Sequence, residues 1–274
     1  MCTRIIEAMS GINLRLKKFD PSKMADDSVS VFIARRRSGK SVLIKDIMAH
    51  KKHIPAGIVL SGTEEGNGFY GDFVPSLFIY NDYDREALER LIERQKRLVA
   101  AKKKNIECFL LMDDVMYDAK FLKDQVVRQV FMNGRHWKIM CLLAMQYSLD
   151  MPPALRANVD YVFILRENII ANRERLYKSF FGVFPTFEQF CRVMDETTEN
   201  YEALVLDNTV KSNRIEDVVF WYKAKFPSPK YRLGAPQFWA AHKKNFDPRH
   251  GQRKSQDPKT AKRHTPVRVT KAKK

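Results

Sequence analysis

Ser38-Gly39-Lys40-Ser41 and Asp113-Asp114 are the residues whose types and spacing fit one chemistry, the handling of a polyphosphate with its metal ion. A glycine turn carries little side-chain bulk, so successive backbone N–H groups converge on a phosphate, and a following helix adds the positive end of its dipole. In such a turn Lys40 reaches the β- and γ-phosphates, and the Ser41 hydroxyl holds Mg²⁺. Two adjacent carboxylates closing an apolar run are poor packing residues. They read as a pair in which Asp113 holds Mg²⁺, directly or through water, and Asp114 orients or deprotonates an attacking water.

Each of these groups needs a particular element beneath it. Val29, Val31 and Ile33 alternate with Ser28, Ser30 and Phe32 as a short strand does, and Val42, Leu43, Ile44, Ile47 and Met48 follow helical spacing. Strand, turn and helix over residues 27–50 are the context a P-loop requires. Its nucleotide-contacting stretch is Ala34, Arg35, Arg36, Arg37, Ser38, Gly39, Lys40, Ser41 and Val42, with the pattern A-x-x-x-x-G-K-S where glycine is usual at the first position. A left-handed backbone at Ala34 would cost about 1–2 kcal/mol; an extended alanine ending the strand costs nothing, and that is the expectation. One of Arg35, Arg36 or Arg37 is a candidate for touching the γ-phosphate in cis.

The carboxylate pair ends residues 107–114, whose five apolar residues in a row predict a strand buried on both faces of a parallel sheet. Residues 138–147 and 159–165 read the same way. Gln146, near the end of the first of these, is the position that reads the γ-phosphate or its water in P-loop ATPases with a strand inserted between the two motif strands. Residues 56–61 predict another strand, followed by a glycine-rich loop that either turns Thr63 and Glu64 toward nucleotide or DNA or is a plain flexible loop, and residues 77–80 a further strand. Helices are expected over 84–104, with Leu88, Leu91, Ile92, Leu98 and Val99 as apolar stripe, and over 121–133, 169–181 and 186–200. Strands at 201–206 and 218–222 complete the body, and residues 13–20 alternate as an added edge strand. Arg135 and Arg156 are expected in loops near the carboxylates, where either is a candidate arginine finger for a neighbouring subunit, an effect of roughly 10³–10⁵ in rate. The expected class is α/β, with a mostly parallel central sheet flanked by helices.

Composition divides the chain. Of the formal charge of +17, residues 243–274 carry +10, from twelve Lys and Arg against Asp247 and Asp257. With almost no large apolar residue after Phe246, this segment is expected to be a disordered polyanion-binding tail, leaving residues 1–242 as the ATPase domain. Cys2, Cys108, Cys141 and Cys191 form no C-x-x-C pair and read as thiols of a reducing compartment. No signal peptide is expected, because residues 1–11 lack a continuous apolar stretch, and no transmembrane segment, because the longest apolar run, residues 139–145, is far short of a membrane span. His50 and His53 have H-x-x-H spacing but no further ligands nearby and read as solvent-exposed.

The order of these signals is more specific than any one of them. Phe19-Asp20-Pro21, Arg37-Ser38-Gly39-Lys40-Ser41, Ser61-Gly62-Thr63-Glu64, Asp113-Asp114, Gly134-Arg135-His136, Gln146, Pro152-Pro153 and Leu155-Arg156-Ala157-Asn158 together resemble the genome-packaging ATPases of large nucleocytoplasmic DNA viruses, in the FtsK/HerA branch of P-loop motors. The resemblance runs over about residues 14–225. It implies an additional-strand P-loop fold, ATP and Mg²⁺ as cofactors, and a ring of like subunits that moves double-stranded DNA into a capsid. It also implies capsid portal or vertex proteins as further partners and the host-cell cytoplasm as the place of action. Carried over, Lys40 and Ser41 are the Walker A pair, Asp113 and Asp114 the Walker B pair, and Gln146 the sensor. The residues alone support an NTP-hydrolysing protein with a basic tail. They leave open a helicase or segregation motor of the same branch, a nucleotide kinase, and a non-hydrolysing P-loop protein anchored to DNA.

Overall fold

The apolar runs become the middle of one sheet because residues buried on both faces leave no side for water. The computed structural model describes residues 3–7, 13–115, 121–146 and 151–247. Strands β1 (Thr3–Glu7) and β2 (Asn13–Lys18) precede β3 (Val29–Ile33) and helix α1 (Lys40–Ala49), which flank the phosphate loop. Next come β4 (Ala56–Ser61), the single turn α2 (Glu64–Asn67), β5 (Ile79–Tyr80), α3 (Arg85–Ala100), β6 (Cys108–Asp113) and α4 (Gln125–Asn133). They are followed by β7 (Ile139–Met145), α5 (Pro153–Arg156), β8 (Tyr161–Ile164), α6 (Ile170–Ser179) and α7 (Phe187–Thr197). The described part closes with β9 (Glu202–Asp207), α8 (Ile215–Val218), β10 (Val219–Lys223) and α9 (Pro236–Asn245).

The sheet has ten strands in the order β1-β2-β10-β9-β8-β3-β7-β6-β4-β5. From β8 to β5 all neighbours are parallel, and β9 reverses direction against both β8 and β10. Strand β7 lies between β3 and β6, and its register sets their carboxyl ends level: Ile33 faces Met145, and Ala144 faces Asp113. Alternate residues of each strand point to opposite faces. Val31, Leu110 and Leu143 therefore join Leu91, Val127, Leu176 and Phe190 in the core beneath α3, α4, α6 and α7. Phe32, Leu111 and Leu142 join Ile44, Ile47 and Phe238 in the core beneath α1 and α9. Two helical layers around one sheet result.

Several boundaries differ from expectation for local reasons. Helix α3 starts after Asp84, whose side chain accepts from the Ala87 N–H, and stops at Ala100. Its apolar stripe ends sooner, since Val99 is exposed; the next inward residue is Gln95, which donates to the Ile106 and Trp137 carbonyls. The predicted helix over 121–133 is a 3₁₀ turn at Phe121–Lys123 and then α4, capped by Asp124. The predicted strand over 77–80 is likewise a 3₁₀ turn followed by two strand residues. Strand β2 is second from the edge, because β1, which the sequence does not announce, pairs outside it. Helix α9 carries the folded body through Asn245, three residues into the predicted tail, with Phe238 stacked on Phe78 at 4.2 Å. The rest of that tail and Cys2 lie outside the described residues. Cys108 and Cys141 are buried and Cys191 is half-buried. Among the described residues no helix is long and apolar enough to cross a membrane.

Candidate active site

Ala34 continues β3: it is buried, and its N–H donates to the Met145 carbonyl at 3.0 Å. The left-handed residues of the loop are instead Arg37 (φ 62°) and Gly39 (φ 92°), so alanine at the first position carries no backbone strain. The Ser38 hydroxyl donates to the Arg35 carbonyl at 2.5 Å, closing the turn. Gly39 caps α1 and offers no side chain to the helix. The first-turn N–H groups are thus left without a side-chain acceptor, which is the arrangement that receives an anion.

Lys40 points from α1 at the carboxyl end of β6. Its ammonium lies 3.0 Å from Asp113 Oδ1 and 3.0 Å from Asp114 Oδ1. Asp114 has a left-handed backbone (φ 52°) immediately after the strand, and with it both neighbouring carboxylates reach the one ammonium. From the end of β7, Gln146 Nε2 donates to Asp114 Oδ1 at 3.1 Å. Burial works to raise the Asp114 carboxyl pKa. The Lys40 charge, hydrogen bonds from Gln146 and Lys40, and the charge of Arg36 outweigh it and hold the group below its ordinary 3.8, hence anionic at neutral pH.

Asp113 is held from a direction the sequence does not signal. The buried Tyr70 hydroxyl donates to Asp113 Oδ2 at 2.6 Å. Burial, followed by the charge of Asp113, pushes the Tyr70 phenol far above its ordinary value, so it remains a donor. Glu64 secures this loop by accepting from the Tyr70 N–H at 2.9 Å and the Gly71 N–H at 2.8 Å. Burial raises the Glu64 carboxyl above its usual value against those two bonds. Glu64 is therefore turned into the fold, not toward a ligand as its loop position suggested. Asp113 Oδ1 remains buried without a hydrogen-bond donor; the Lys40 ammonium beside it is an ion pair only. An anionic oxygen in that setting suits a hard cation, and Mg²⁺ sites use one or two carboxylates with phosphate oxygens and water. Among the described residues no group of three His, Cys, Asp or Glu forms a protein-only metal cage. His53 pairs with Asp26 at 2.7 Å.

The two candidate fingers lie elsewhere. Arg135 donates to Asp160 Oδ1 at 2.6 Å, and Asp160 Oδ2 accepts from the Val29 N–H that opens β3. Gly134–Trp137 precedes β7, and in a parallel sheet what precedes a strand lies at its amino end, opposite the carboxylates. Arg156 stands ahead of β8 and donates to Ser179 Oγ at 3.2 Å, at the last residue of α6. The expectation that both stand at the carboxylate edge is corrected accordingly. A cleft of about 820 Å³ runs from Gln146, after β7, past Arg35–Ser38 to the segments after β8 and α7.

A glycine-capped phosphate turn on β3, paired carboxylates on β6 and an inserted β7 between them define an additional-strand P-loop NTPase fold. No family model matches the chain. An uncharacterized protein of Acanthamoeba polyphaga mimivirus is 36% identical over 245 residues, covering 86% of this chain and 86% of that protein. One of Invertebrate iridescent virus 3 is 43% identical over 197 residues, covering 71% and 74%. The chain belongs to this family of large DNA virus proteins. Among solved structures, the genome packaging NTPase B204 of Sulfolobus turreted icosahedral virus 2, in complex with AMP, superposes with a TM-score of 0.54 at 19% identity, over 74% of this chain and 100% of that one. EssC (ATPases 2 and 3) of Geobacillus thermodenitrificans gives 0.51 at 11% identity, over 88% and 47%. At these identities the likeness is one of fold.

Proposed function

We propose that this protein is a Mg²⁺-dependent ATPase that works as a DNA-translocating motor, in a ring of like subunits, packaging viral double-stranded DNA into the capsid. The observation that carries the reading is the meeting of Lys40, Asp113, Asp114 and Gln146, from three adjacent strand ends, within hydrogen-bond or ion-pair distance. The fold shared with B204, a genome packaging NTPase, and the large DNA virus relatives support the choice of DNA as cargo. Action at the viral assembly site in the host-cell cytoplasm, with capsid portal or vertex proteins as partners, follows from the same reading.

In this mechanism Lys40 exchanges its carboxylate partners for the β- and γ-phosphates, which the N–H groups from Arg37 to Ser41 also receive. Ser41 and Asp113 would hold Mg²⁺, which when bound would neutralise charge on the phosphate oxygens. Asp114, released from Lys40 and anionic, accepts a hydrogen bond from the attacking water and orients it. Gln146 bonds Asp114 and stands where the γ-phosphate ends, so its contact links that end of the nucleotide to β7. Arg135 and Arg156 stand away from their own carboxylates, and a finger role for either is one in trans, on a neighbour's nucleotide.

Turnover of ATP with and without double-stranded DNA, together with the mass of the assembly, tests the proposal. DNA is expected to stimulate hydrolysis. Lys40→Ala should abolish turnover and weaken nucleotide binding, whereas Asp114→Asn should bind ATP without hydrolysing it. Equal turnover by wild type and Lys40→Ala removes the motor reading.

A further inference from the structure

We propose that the cleft beside the phosphate turn is the nucleoside subsite of the bound triphosphate, with the Tyr201 ring as the surface on which the base stacks. The inference rests on the phosphate-loop reading and adds what holds the other end of the ligand. Lys40, Asp113 and Asp114 mark the γ-phosphate end, on the β7 and β6 side of the turn. A triphosphate lying across Gly39 therefore directs its nucleoside away from them, toward β8. The cleft of about 820 Å³ runs in that direction, from Gln146 at the γ-phosphate end to Leu165 and Tyr201 beyond β8 and α7, and its size is within the range of small-ligand pockets, roughly 300–1,000 Å³.

The cleft has two unlike walls. Arg35, Arg36 and Arg37 supply cations next to the phosphates, while Leu165, Asn168 and Tyr201 supply apolar surface, an amide and a ring. Tyr201 is 72% exposed, which leaves its ring open to a ligand. It is not loosely placed. Asn200 (φ 51°) and Tyr201 (φ 62°) both have left-handed backbones in the turn between α7 and β9, and a Cβ added at Gly39 would lie 3.2 Å from Tyr201 Cδ1. The turn thus holds the ring at the edge of the phosphate loop with its surface open to the cleft. Stacking is tolerant of base identity because every base presents a π-face, so ATP and GTP should bind with comparable affinity.

Calorimetric binding of ATP and of inorganic tripolyphosphate, each with Mg²⁺, tests this on the full chain. Tyr201→Ala should weaken ATP about tenfold or more, the usual effect of losing one stacked base, and leave tripolyphosphate unchanged; Tyr201→Phe should retain ATP affinity. Tyr201→Trp adds a readout independent of the alanine variant, indole emission that ATP quenches beyond wild type and tripolyphosphate does not. Equal loss for both ligands, unchanged ATP affinity, or weakened DNA binding in place of weakened ATP binding overturns the proposal. A wild type that binds neither ligand, or a Lys40→Ala chain that binds both normally, overturns the phosphate-loop reading and the stacking with it.

Discussion

Asp113 depends on a residue 43 positions upstream in the chain. The Tyr70 hydroxyl takes Oδ2, leaving Oδ1 as the one oxygen of that carboxylate directed at Lys40. Tyr70→Phe keeps the ring's volume and removes the donor, so a buried carboxylate oxygen loses its partner at a cost of roughly 1–3 kcal/mol. A lower thermal midpoint is the expected result. If Tyr70 also positions Asp113 for the metal, the Mg²⁺ concentration for half-maximal turnover rises in the same variant. A midpoint shift with unchanged Mg²⁺ dependence would confine Tyr70 to stability.

The strands bearing these groups pack with little tolerance. Gly57 of β4 faces Phe109 of β6, and a Cβ there would meet the Phe109 carbonyl at 2.3 Å and its ring at 2.4 Å. Neither obstacle is a flexible side-chain tip, so β4 and β6 must separate to admit it. Gly57→Ala is expected to destabilise by about 1–3 kcal/mol or more, read as a lower denaturant midpoint at unchanged slope. Because Asp113 ends β6, turnover should fall as well. Burial pushes the Cys108 and Cys141 thiols up to about 12.

Charge sets the behaviour of the molecule as a whole. Residues 248–274 hold ten of the twelve cations counted from Lys243, and they begin beyond α9. Truncation after Asp247 therefore removes them while keeping Phe238 in the core. It should weaken DNA binding and flatten its salt dependence while leaving basal hydrolysis intact. Five tail cations on phosphates correspond to a log–log slope of about −4.5, measurable by titration at several salt concentrations. An unchanged slope refutes the tail's role.

The residues by themselves determined the α/β class, the phosphate-loop unit and the strands ending in Asp113 and Gln146, because each rests on a local pattern: a glycine turn between strand and helix, or an apolar run closed by polar groups. The tertiary structure decided what depends on contacts distant in sequence. It turned Glu64 inward, brought Tyr70 to Asp113, and set Arg135 at the far end of the sheet. It also brought Tyr201 to Gly39, 162 residues away. Local spacing specifies an element and its buried face. Which loops share an edge follows from strand order, and strand order is chosen by packing the whole sheet between its helices.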